Sequence, residues 1–321
     1  GLIWIGPSPE VIASMGDKIA AKKIAESADV PTIPGISNVM RSREITRWME
    51  KEKVSFPIMI KAAAGGGGKG MVKVENQEEL KRAFRQARSE AKKAFGRDDL
   101  LVEKYIELGR HIEVQVLGDE EGNIVHLHER ECTIQRRNQK IIEESPSPSL
   151  DTDLRNEICE TAVRLMKKIG YRSAGTVEFV FDSASRKFYF LEVNTRLQVE
   201  HGVTELITGL DMVGIMIDIA DGLPLPFHQS EIVTNRWALE VRLNAEDPKT
   251  FSPSFGTITR LQIPLGYNIR ISSGVYEGAD IPPYYDSLFM LIMSTGIDRR
   301  DSIKVMDRVL SRNLRVEGVK T

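Results

Sequence analysis

The sequence contains little cysteine and no long apolar run. Its two cysteines, Cys132 and Cys159, do not form a CxxC pair, which argues against a disulfide scaffold and fits a reducing compartment. The longest uninterrupted apolar run covers residues 288–293, whereas a helix that spans a bilayer needs about 20 apolar residues. These absences predict a cytoplasmic protein that does not cross a membrane.

Neither sign of charge predominates. The 44 Lys and Arg residues nearly balance the 46 Asp and Glu residues, for a net charge of -2. A global basic field that would attract nucleic acid or an anionic membrane is therefore excluded. The 321 residues, 41% of them hydrophobic, suffice for a large core and about two domains. Because the chain begins at Gly1 within an apolar stretch and stops at Thr321 without a tail, we expect a piece of a longer protein.

Hydrophobic periodicity and turn signals predict a mixed α+β chain. Apolar residues at helical spacing predict helices at residues 9–30, 77–95, 153–169 and 203–220. Asn76 and Glu79 form a capping box before the second of these. Short apolar or alternating runs predict strands at residues 56–61, 71–74, 100–105, 111–117, 124–127, 176–181, 188–194, 237–244, 257–262 and 269–275. Neighbouring strands joined by short turns favour hairpins over alternating βαβ units.

A glycine-rich segment, AGGGGKG at residues 64–70, lies between two predicted strands. Consecutive glycines allow backbone N–H groups to approach anionic oxygens closely. A dinucleotide site requires a helix after such a loop, and a P-loop requires Ser or Thr where Gly70 stands. A flap over a triphosphate, flanked by Lys61 and Lys69, fits better, although kinase signatures are absent. The alternative is a mobile linker.

Two predicted strands carry an acidic pair. On the second strand, Glu192 and Asn194 share one face because side chains alternate. A turn of seven residues places Glu178 of the first strand directly opposite Glu192. Burying two like charges is costly unless a cation compensates them, and two Glu with one Asn suit Mg²⁺. The alternative is a pair of solvated strand faces.

Further polar clusters flank this hairpin. Arg196, Gln198, Glu200 and His201 follow it within a few residues, as in a reaction centre. The basic run at residues 135–140 taken alone indicates a solvated face or a general anion site. A third cluster contains potential zinc ligands, but no second His/Cys cluster at ligand spacing follows, so ordinary strand and loop residues are favoured. Its members are His126, His128, Glu129, Glu131 and Cys132.

These segments, in this order, resemble biotin carboxylase, a member of the ATP-grasp superfamily. The resemblance is carried by MGDK at residues 15–18, IKA with the glycine loop, VEKY at 102–105, QRR at 135–137, EVNTRLQVEH at 192–201, EVRLNAEDP at 240–248 and PPYYDS at 282–287. The glycine loop alone indicates ATP-grasp at best, whereas the NTRLQVEH and RLNAEDP segments together are specific to biotin-dependent carboxylases.

The resemblance implies an α+β ATP-grasp fold, two subdomains clasping ATP, with a β-rich C-terminal biotin carboxylase domain. It implies four regions: residues 1–32, the remnant of an N-terminal domain with a linker helix; residues 33–105, a lid with the glycine loop; residues 106–235, the core; and residues 236–321, a truncated C-terminal domain. Most of the N-terminal domain is expected to be missing, so the chain alone could be inactive.

The resemblance also implies site residues, position by position. Those for ATP are Lys18, Lys61, Gly65, Gly66, Gly67, Gly68, Lys69, Gly70, Met71, Glu103, Lys104, Tyr105, Ile106, His111 and Gln135. Those for two Mg²⁺ ions, with Mn²⁺ as an alternative, are Glu178, Glu192 and Asn194. Those for bicarbonate are Lys140, Arg196, Gln198, the Val199 backbone and Glu200. Glu200 is expected as the general base and Arg242 as the group that steadies charge on biotin; Arg196 and Lys140 complete the catalytic set.

The implied reaction is ATP-dependent carboxylation of biotin by bicarbonate through carboxyphosphate, with biotin presented on a carrier. The implied partners are a biotin carboxyl carrier protein or domain, a carboxyltransferase and a second copy in a homodimer, with no nucleic acid or membrane. The chain departs from the family at Asn138, where histidine is frequent near the ribose, at Gly202, where proline is usual, and at Leu291, where lysine is common.

Two other hypotheses stay open. Another ATP-grasp ligase, of the carbamoyl-phosphate or carboxylate–amine type, predicts ATP turnover without biotin. A nucleotide-binding fragment without activity predicts binding with no turnover.

Overall fold

The computed structural model describes residues 1–64 and 70–321. The helices are α1 Pro9–Gly16, α2 Lys18–Ser27, α3 Ser42–Glu52, α4 Gln77–Phe95, α5 Thr152–Lys168, α6 His201–Thr208, α7 Met212–Ala220 and α8 Arg299–Arg308, with a 3-10 turn Gln229–Glu231 and a π-helical turn Val309–Asn313. The strands are β1 Gly35–Ser37, β2 Ile58–Ala62, β3 Met71–Val74, β4 Leu100–Lys104, β5 Gly109–Gly118, β6 Ile124–Arg136, β7 Gln139–Ser145, β8 Ser173–Asp182, β9 Lys187–Asn194, β10 Trp237–Asn244, β11 Gly256–Thr257, β12 Arg260–Gln262, β13 Ile269–Ser273, β14 Asp280–Ile281, β15 Leu288–Gly296 and β16 Arg315–Glu317. Within the described ranges, no helix combines the length and apolarity needed to span a membrane.

The chain divides into two compact units. Unit 1 comprises residues 1–127, 149–198 and 213–229, and unit 2 comprises residues 128–148, 199–212 and 230–321. Strand β6 and helix α7 each begin in one unit and continue in the other. The four predicted domain ranges remain predictions.

Unit 1 contains a small antiparallel sheet with strand order β1-β4-β2-β3. Helix α4 packs on β2 and β3 and has the predicted bounds. The Asn76 side chain accepts a hydrogen bond from the Glu79 N–H, 3.1 Å, and caps the helix. Gly96 ends it in the left-handed region, φ 71°. Of the predicted apolar face, Leu80, Phe84, Ala87 and Ala91 are buried, and Phe95 is half-buried.

The rest of unit 1 includes the antiparallel strands β5, β8 and β9, with β8 in the middle. Helices α1, α2 and α5 cover these strands and share one core with them. Ile158 and Cys159 of α5 are fully buried there, as are Val114 of β5 and Phe179 of β8. This core fixes the hairpin that carries the acidic pair.

Unit 2 is built on antiparallel strands in the order β13-β15-β10-β7-β6. Helix α6 packs on β10 and β7, and α8 packs on β15. The core includes Leu239, Val241 and Ile292 from the central strands. Residues 240 and 242 of β10 lie on one face of this strand, the opposite face from its core residues at 239 and 241. This alternation sets polar side chains apart from the apolar layer.

Several predicted boundaries were wrong. The helix predicted at residues 9–30 is two helices, because the Asp17 side chain accepts from the N–H groups of Ile19 and Ala20 and starts a new helix. The helix predicted at residues 203–220 is also two, because α6 ends at Gly209 with φ 75°. The strand predicted at residues 124–127 extends to Arg136. The strand predicted at residues 257–262 is two short strands, Gly256–Thr257 and Arg260–Gln262.

We predict that Ile158→Ala lowers the free energy of unfolding by about 2–5 kcal/mol, since truncation of a fully buried side chain loses apolar burial and leaves a cavity. Urea unfolding followed by circular dichroism measures the change. Glu160→Ala, at an exposed position of the same helix, is the control and should change it by no more than about 0.5 kcal/mol. Equal effects of the two substitutions would contradict the packing described for α5.

Candidate active site

The acidic pair of unit 1 lies on the hairpin formed by β8 and β9. Glu178 pairs in register with Glu192, which confirms the register predicted from the sequence. A register irregularity follows immediately, between Glu178 and Phe179. Glu178 is buried and Glu192 half-buried, so the two carboxylates face each other where water can solvate them only in part.

Two side chains donate hydrogen bonds to the Glu178 carboxylate, and a third lies close to it. Asn194 donates its amide N–H to Oε1 at 2.8 Å, and Gln198 donates to the same oxygen at 3.0 Å. His111 of β5 places Nε2 3.0 Å from Oε2. Glu113, fully buried, lies opposite Glu178 on β5. One carboxylate is thus held at both oxygens, and a further acid lies beside it.

Burial and the neighbouring charge of Glu178 raise the pKa of Glu192. Lys18, His111 and Lys61 act in the opposite direction and favour the carboxylate. Burial in turn lowers the pKa of Lys18, while Glu192 works to raise it. The cluster therefore has acids and bases whose charges depend on one another.

This donor set fits a divalent cation. Ligand atoms of His111, Glu113 and Glu178 lie within 4.8 Å of one another. Asn194 uses its amide nitrogen on Glu178, so its amide oxygen is not engaged in that bond. Carboxylate and amide oxygens are the ligands that Mg²⁺ and Mn²⁺ prefer. A bound cation would relieve the repulsion between Glu178 and Glu192.

A second ionic cluster of unit 1 centres on Glu103 of β4. Its buried carboxylate accepts from Lys61 at Oε2 and from Lys22 at Oε1, each at 2.6 Å. Burial works to raise the pKa of Glu103, but Lys61 and Lys22 outweigh it and hold that pKa below its usual value. Lys22 lies four residues after Lys18 on α2, a helical spacing that could have singled it out in the sequence.

The segment around residues 70–71 and 103–106 has its backbone partly engaged. The Gly70 carbonyl accepts from the Ala62 N–H, 2.9 Å. The N–H of Lys104 donates to Pro34, 3.0 Å, and the N–H of Tyr105 to Pro57, 3.1 Å. Met71, Tyr105 and Ile106 are half-buried, and Lys104 is exposed. The predicted loop residues Gly65, Gly66, Gly67, Gly68 and Lys69 lie outside the described residues.

In unit 2, Glu200 lies between two cations. Lys140 donates to Oε1 at 2.6 Å, and Arg242 donates to Oε2 at 3.0 Å. Glu200 is buried and immediately precedes helix α6. These ion pairs require the carboxylate form of Glu200, which is also the form that can accept a proton.

Arg242 is shared with a second acid that sequence reasoning missed. Its Nε donates to Glu143 at 2.6 Å. Burial works to lower the pKa of Arg242, but Glu143, Glu200 and Glu240 raise it. Glu143 and Glu240 pair in register across β7 and β10. Strand alternation, which sets Glu240 on the face of Arg242, is the signal in the sequence that points to these acids.

Glu240 differs from its neighbours because it is fully buried and, among the described residues, neither carboxylate oxygen has a hydrogen-bond partner. Burial, and next the charge of Glu143, raise its pKa well above the usual value. A neutral carboxylic acid at this position removes one negative charge from the cluster.

The remaining predicted residues are placed as follows. Arg196 is exposed and donates to the Leu197 carbonyl at 3.1 Å, and Val199 is 38% exposed. Gln135 donates to the Cys132 carbonyl at 2.8 Å. The proposed groupings of Arg196, Gln198 and Val199 around bicarbonate, and of Gln135 around ATP, remain predictions.

The zinc alternative gains no support from the histidines. His126 is bound through its backbone to the Gln229 side chain, with contacts of 2.8 and 3.0 Å. His128 has φ 63°, a left-handed conformation that interrupts strand alternation. Regular strand alternation would place His126 and His128 on one face, and the left-handed residue interrupts that alternation.

Two family models match the chain. Residues 17–228 match "Carbamoyl-phosphate synthase L chain, ATP binding domain", and residues 240–321 match "Biotin carboxylase C-terminal domain". Together they cover the ATP-grasp part and the β-rich C-terminal part that the sequence predicted.

Individual relatives agree with these matches. The chain is 48% identical to biotin carboxylase 2 of Bacillus subtilis over 100% of the chain and 71% of that protein. It is 49% identical to the mitochondrial propionyl-CoA carboxylase alpha chain of Homo sapiens, over 99% of the chain and 44% of the relative.

The chain is also similar to a solved structure. The biotin carboxylase domain dimer of 2-oxoglutarate carboxylase from Hydrogenobacter thermophilus, in complex with MgADP, ADP and bicarbonate, superposes with a TM-score of 0.95 at 45% identity, over 100% of the chain and 70% of that structure. The predicted α+β fold, ATP-grasp with a biotin carboxylase C-terminal domain, is thereby confirmed. The chain belongs to the biotin carboxylase family.

Proposed function

We propose that the protein to which this chain belongs carboxylates carrier-bound biotin, using ATP and bicarbonate. The observation that carries the proposal is the face-to-face pair of Glu178 and Glu192, surrounded by Lys18, Lys61 and Asn194 in a family of ATP-dependent carboxylases. A buried acidic pair with lysines nearby is suited to hold a divalent cation together with phosphate groups.

For the nucleotide, the lysines Lys18 and Lys61 and the loop at residues 65–70 bind the phosphates. The hinge residues Glu103, Lys104, Tyr105 and Ile106, with Met71, His111 and Gln135, complete the site. Glu178, Glu192 and Asn194 would hold two Mg²⁺ ions, which when bound neutralise phosphate charge. A triphosphate carries about four negative charges, so the lysines alone do not neutralise it.

For bicarbonate, Lys140, Arg196, Gln198 and the Val199 backbone position the anion, and Glu200 removes its proton. Bicarbonate is a poor nucleophile, so holding it in line with the γ-phosphorus and deprotonating it both lower the barrier. The oxygen of bicarbonate bonds to the γ-phosphorus as the bond to ADP breaks, which yields carboxyphosphate and ADP.

Carboxyphosphate then breaks down to CO₂ and phosphate, and the phosphate removes the proton from N1′ of biotin. Arg242 stabilises the resulting negative charge on the ureido oxygen, an electrostatic role. The deprotonated N1′ of the ureido anion attacks the carbon of CO₂, and the new N–C bond gives carboxybiotin. Because carboxyphosphate is hydrolysed easily, the reaction requires a site from which water is excluded.

The partners follow from the reaction. A biotin carboxyl carrier presents the substrate, and a carboxyltransferase consumes the product. We propose a homodimer, as in the similar domain dimer of the 2-oxoglutarate carboxylase, and a cytoplasmic location.

A second candidate is another ATP-grasp ligase, which the carbamoyl-phosphate synthase match over residues 17–228 favours. The match of residues 240–321 to the biotin carboxylase C-terminal domain favours the first proposal. ATP turnover without stimulation by free biotin would support the second candidate. Nucleotide binding without turnover, at saturating bicarbonate and biotin, would support a fragment without activity.

We predict that Glu200→Gln lowers the rate of bicarbonate-dependent ATP cleavage at least about 100-fold, since the general base is lost, while the dissociation constant for MgADP is unchanged. The full-length gene product that contains this chain is assayed for phosphate release with free biotin, and binding is measured by calorimetry. The exposed substitution Glu160→Gln is the control. Full activity of Glu200→Gln would show that another group is the base.

We predict that Glu178→Gln weakens Mg²⁺-dependent ADP binding about tenfold or more, since a ligand carboxylate is replaced by an amide. Calorimetric titrations with and without Mg²⁺ measure the effect. Without Mg²⁺, the substitution should change the dissociation constant for ADP less, because it also removes the repulsion between Glu178 and Glu192. If the variant keeps the same Mg²⁺ dependence as wild type and as Glu160→Gln, the proposed cation site is wrong.

We predict that Glu240→Gln is more stable than wild type at neutral pH and that the difference disappears below about pH 4.5, the ordinary value for Glu. Because the pKa of Glu240 is raised in the folded protein, its contribution to stability is fully present below its usual pKa, where it is protonated in both the folded and the unfolded chain. That contribution is lost as the pH rises towards the raised pKa, because only the unfolded chain then ionises freely. Glutamine carries no charge, so the variant does not lose stability in this way as the pH rises.

Urea unfolding at several pH values measures the Glu240→Gln effect, with Glu277→Gln as the exposed control in unit 2. A variant that is less stable at neutral pH, with a difference from wild type that does not vary with pH, would contradict the neutral state of Glu240.

A further inference from the structure

Lys22 of α2 has contacts that the proposed reaction does not explain. Its ammonium group donates to the Glu103 carboxylate at 2.6 Å and also, in a short contact, to the Ile33 carbonyl. The Lys22 side chain is only 13% exposed. A lysine removed this far from water is a costly arrangement unless the contacts compensate for it.

The two groups that Lys22 binds lie where the chain enters and leaves the small sheet of unit 1. Ile33 precedes β1, and Glu103 lies near the end of β4, directly opposite Gly35 in register. A Cβ at Gly35 would lie 3.0 Å from the Lys22 ammonium and 2.7 Å from the Val102 carbonyl. The glycine thus permits the close approach of α2 to the paired strands.

Glu103 connects Lys22 to Lys61 with one oxygen for each ammonium group. The Lys61–Glu103 pair alone has no net charge, since one ammonium group balances one carboxylate. Addition of Lys22 gives the three groups a net charge of +1. The energy of attraction between opposite charges falls only as the inverse of their distance. The net positive charge of Lys22, Glu103 and Lys61 therefore attracts a nearby anion.

We propose that Lys22 is a positioning residue for the nucleotide: by sharing the Glu103 carboxylate with Lys61, it offsets the attraction of that carboxylate for Lys61 and favours the approach of the ATP phosphates. This inference rests on the proposed function, since it assumes that Lys61 binds phosphate. In the absence of Lys22, Glu103 holds Lys61 as its one ammonium partner in this cluster and opposes the approach of an anion.

The charges of the cluster give a test by double substitution. The cluster Lys22, Glu103 and Lys61 has a net charge of +1, Lys22→Met reduces it to zero, and Lys22→Met with Glu103→Gln restores +1. We expect Lys22→Met to weaken MgADP binding about tenfold, and the double variant, which restores the charge, to bind more tightly than Lys22→Met. Lys22→Arg, which keeps the charge, should bind as wild type.

Calorimetry with MgADP on the full-length gene product measures these affinities, and thermal unfolding is recorded for each variant. Lys23→Met, an exposed lysine next to Lys22 on α2, is the matched control and should bind MgADP as wild type. Steady-state kinetics should show a higher KM for ATP in Lys22→Met with a smaller change in kcat.

The outcomes separate this inference from the proposed function. If wild type binds no MgADP, both are wrong. If wild type binds MgADP and Lys22→Met binds equally well, only the role of Lys22 is wrong. If the double variant binds as weakly as Lys22→Met or more weakly, Lys22 acts through the Ile33 contact and the architecture of the hinge, which also overturns the proposal.

Discussion

The site depends on the repulsion between two carboxylates that the β8–β9 hairpin holds face to face. Register places Glu178 opposite Glu192, and buried residues of both strands pack in the core of unit 1. Burial, and next the like charge of Glu178, raise the pKa of Glu192. Under the proposed function, a divalent cation bound to both carboxylates would remove this repulsion.

Buried glutamates elsewhere in the chain meet this constraint in other ways. Glu103 is bound by two lysines and stays ionised. Glu200 is bound by Lys140 and an arginine. Among the described residues, neither carboxylate oxygen of Glu240 has a hydrogen-bond partner, and burial raises its pKa well above the usual value. Ion pairs and a raised pKa thus each lower the cost of a buried glutamate, and in the proposed function a bound cation would do so for Glu178 and Glu192.

Much of this could be predicted where the signal is local. Helix α4 has a cap, a glycine stop and a regular apolar face, and its bounds were predicted correctly. The opposition of Glu178 and Glu192 follows from strand alternation and turn length. Local signals also misled: apolar spacing continues across Asp17, whose capping side chain starts a new helix at that point.

What could not be predicted depends on long-range contacts. Lys22 and Glu103 are 81 residues apart, and Arg242 and Glu143 are 99 residues apart. No periodicity within one segment links such partners, because their proximity results from the pairing of strands and the docking of helices. The spacing of residues in the sequence predicts only which of them share one face of a helix or strand, as it does for Lys18 with Lys22 and for Glu240 with Arg242.

Two of the three departures from the family pattern, those at Leu291 and Gly202, are compatible with the arrangement around Arg242. Leu291 lies directly opposite Arg242 on β15, where it offers no charge, and the guanidinium group binds Glu143 and Glu200. At Gly202 a Cβ would lie 2.5 Å from the Met293 sulfur and 3.7 Å from the Glu240 carboxylate. Glycine therefore leaves space for Met293 to pack beside the buried acid, and an apolar neighbour there reinforces the neutral form of Glu240. A proline at the same position would require Met293 to move, so the two residues are expected to vary together.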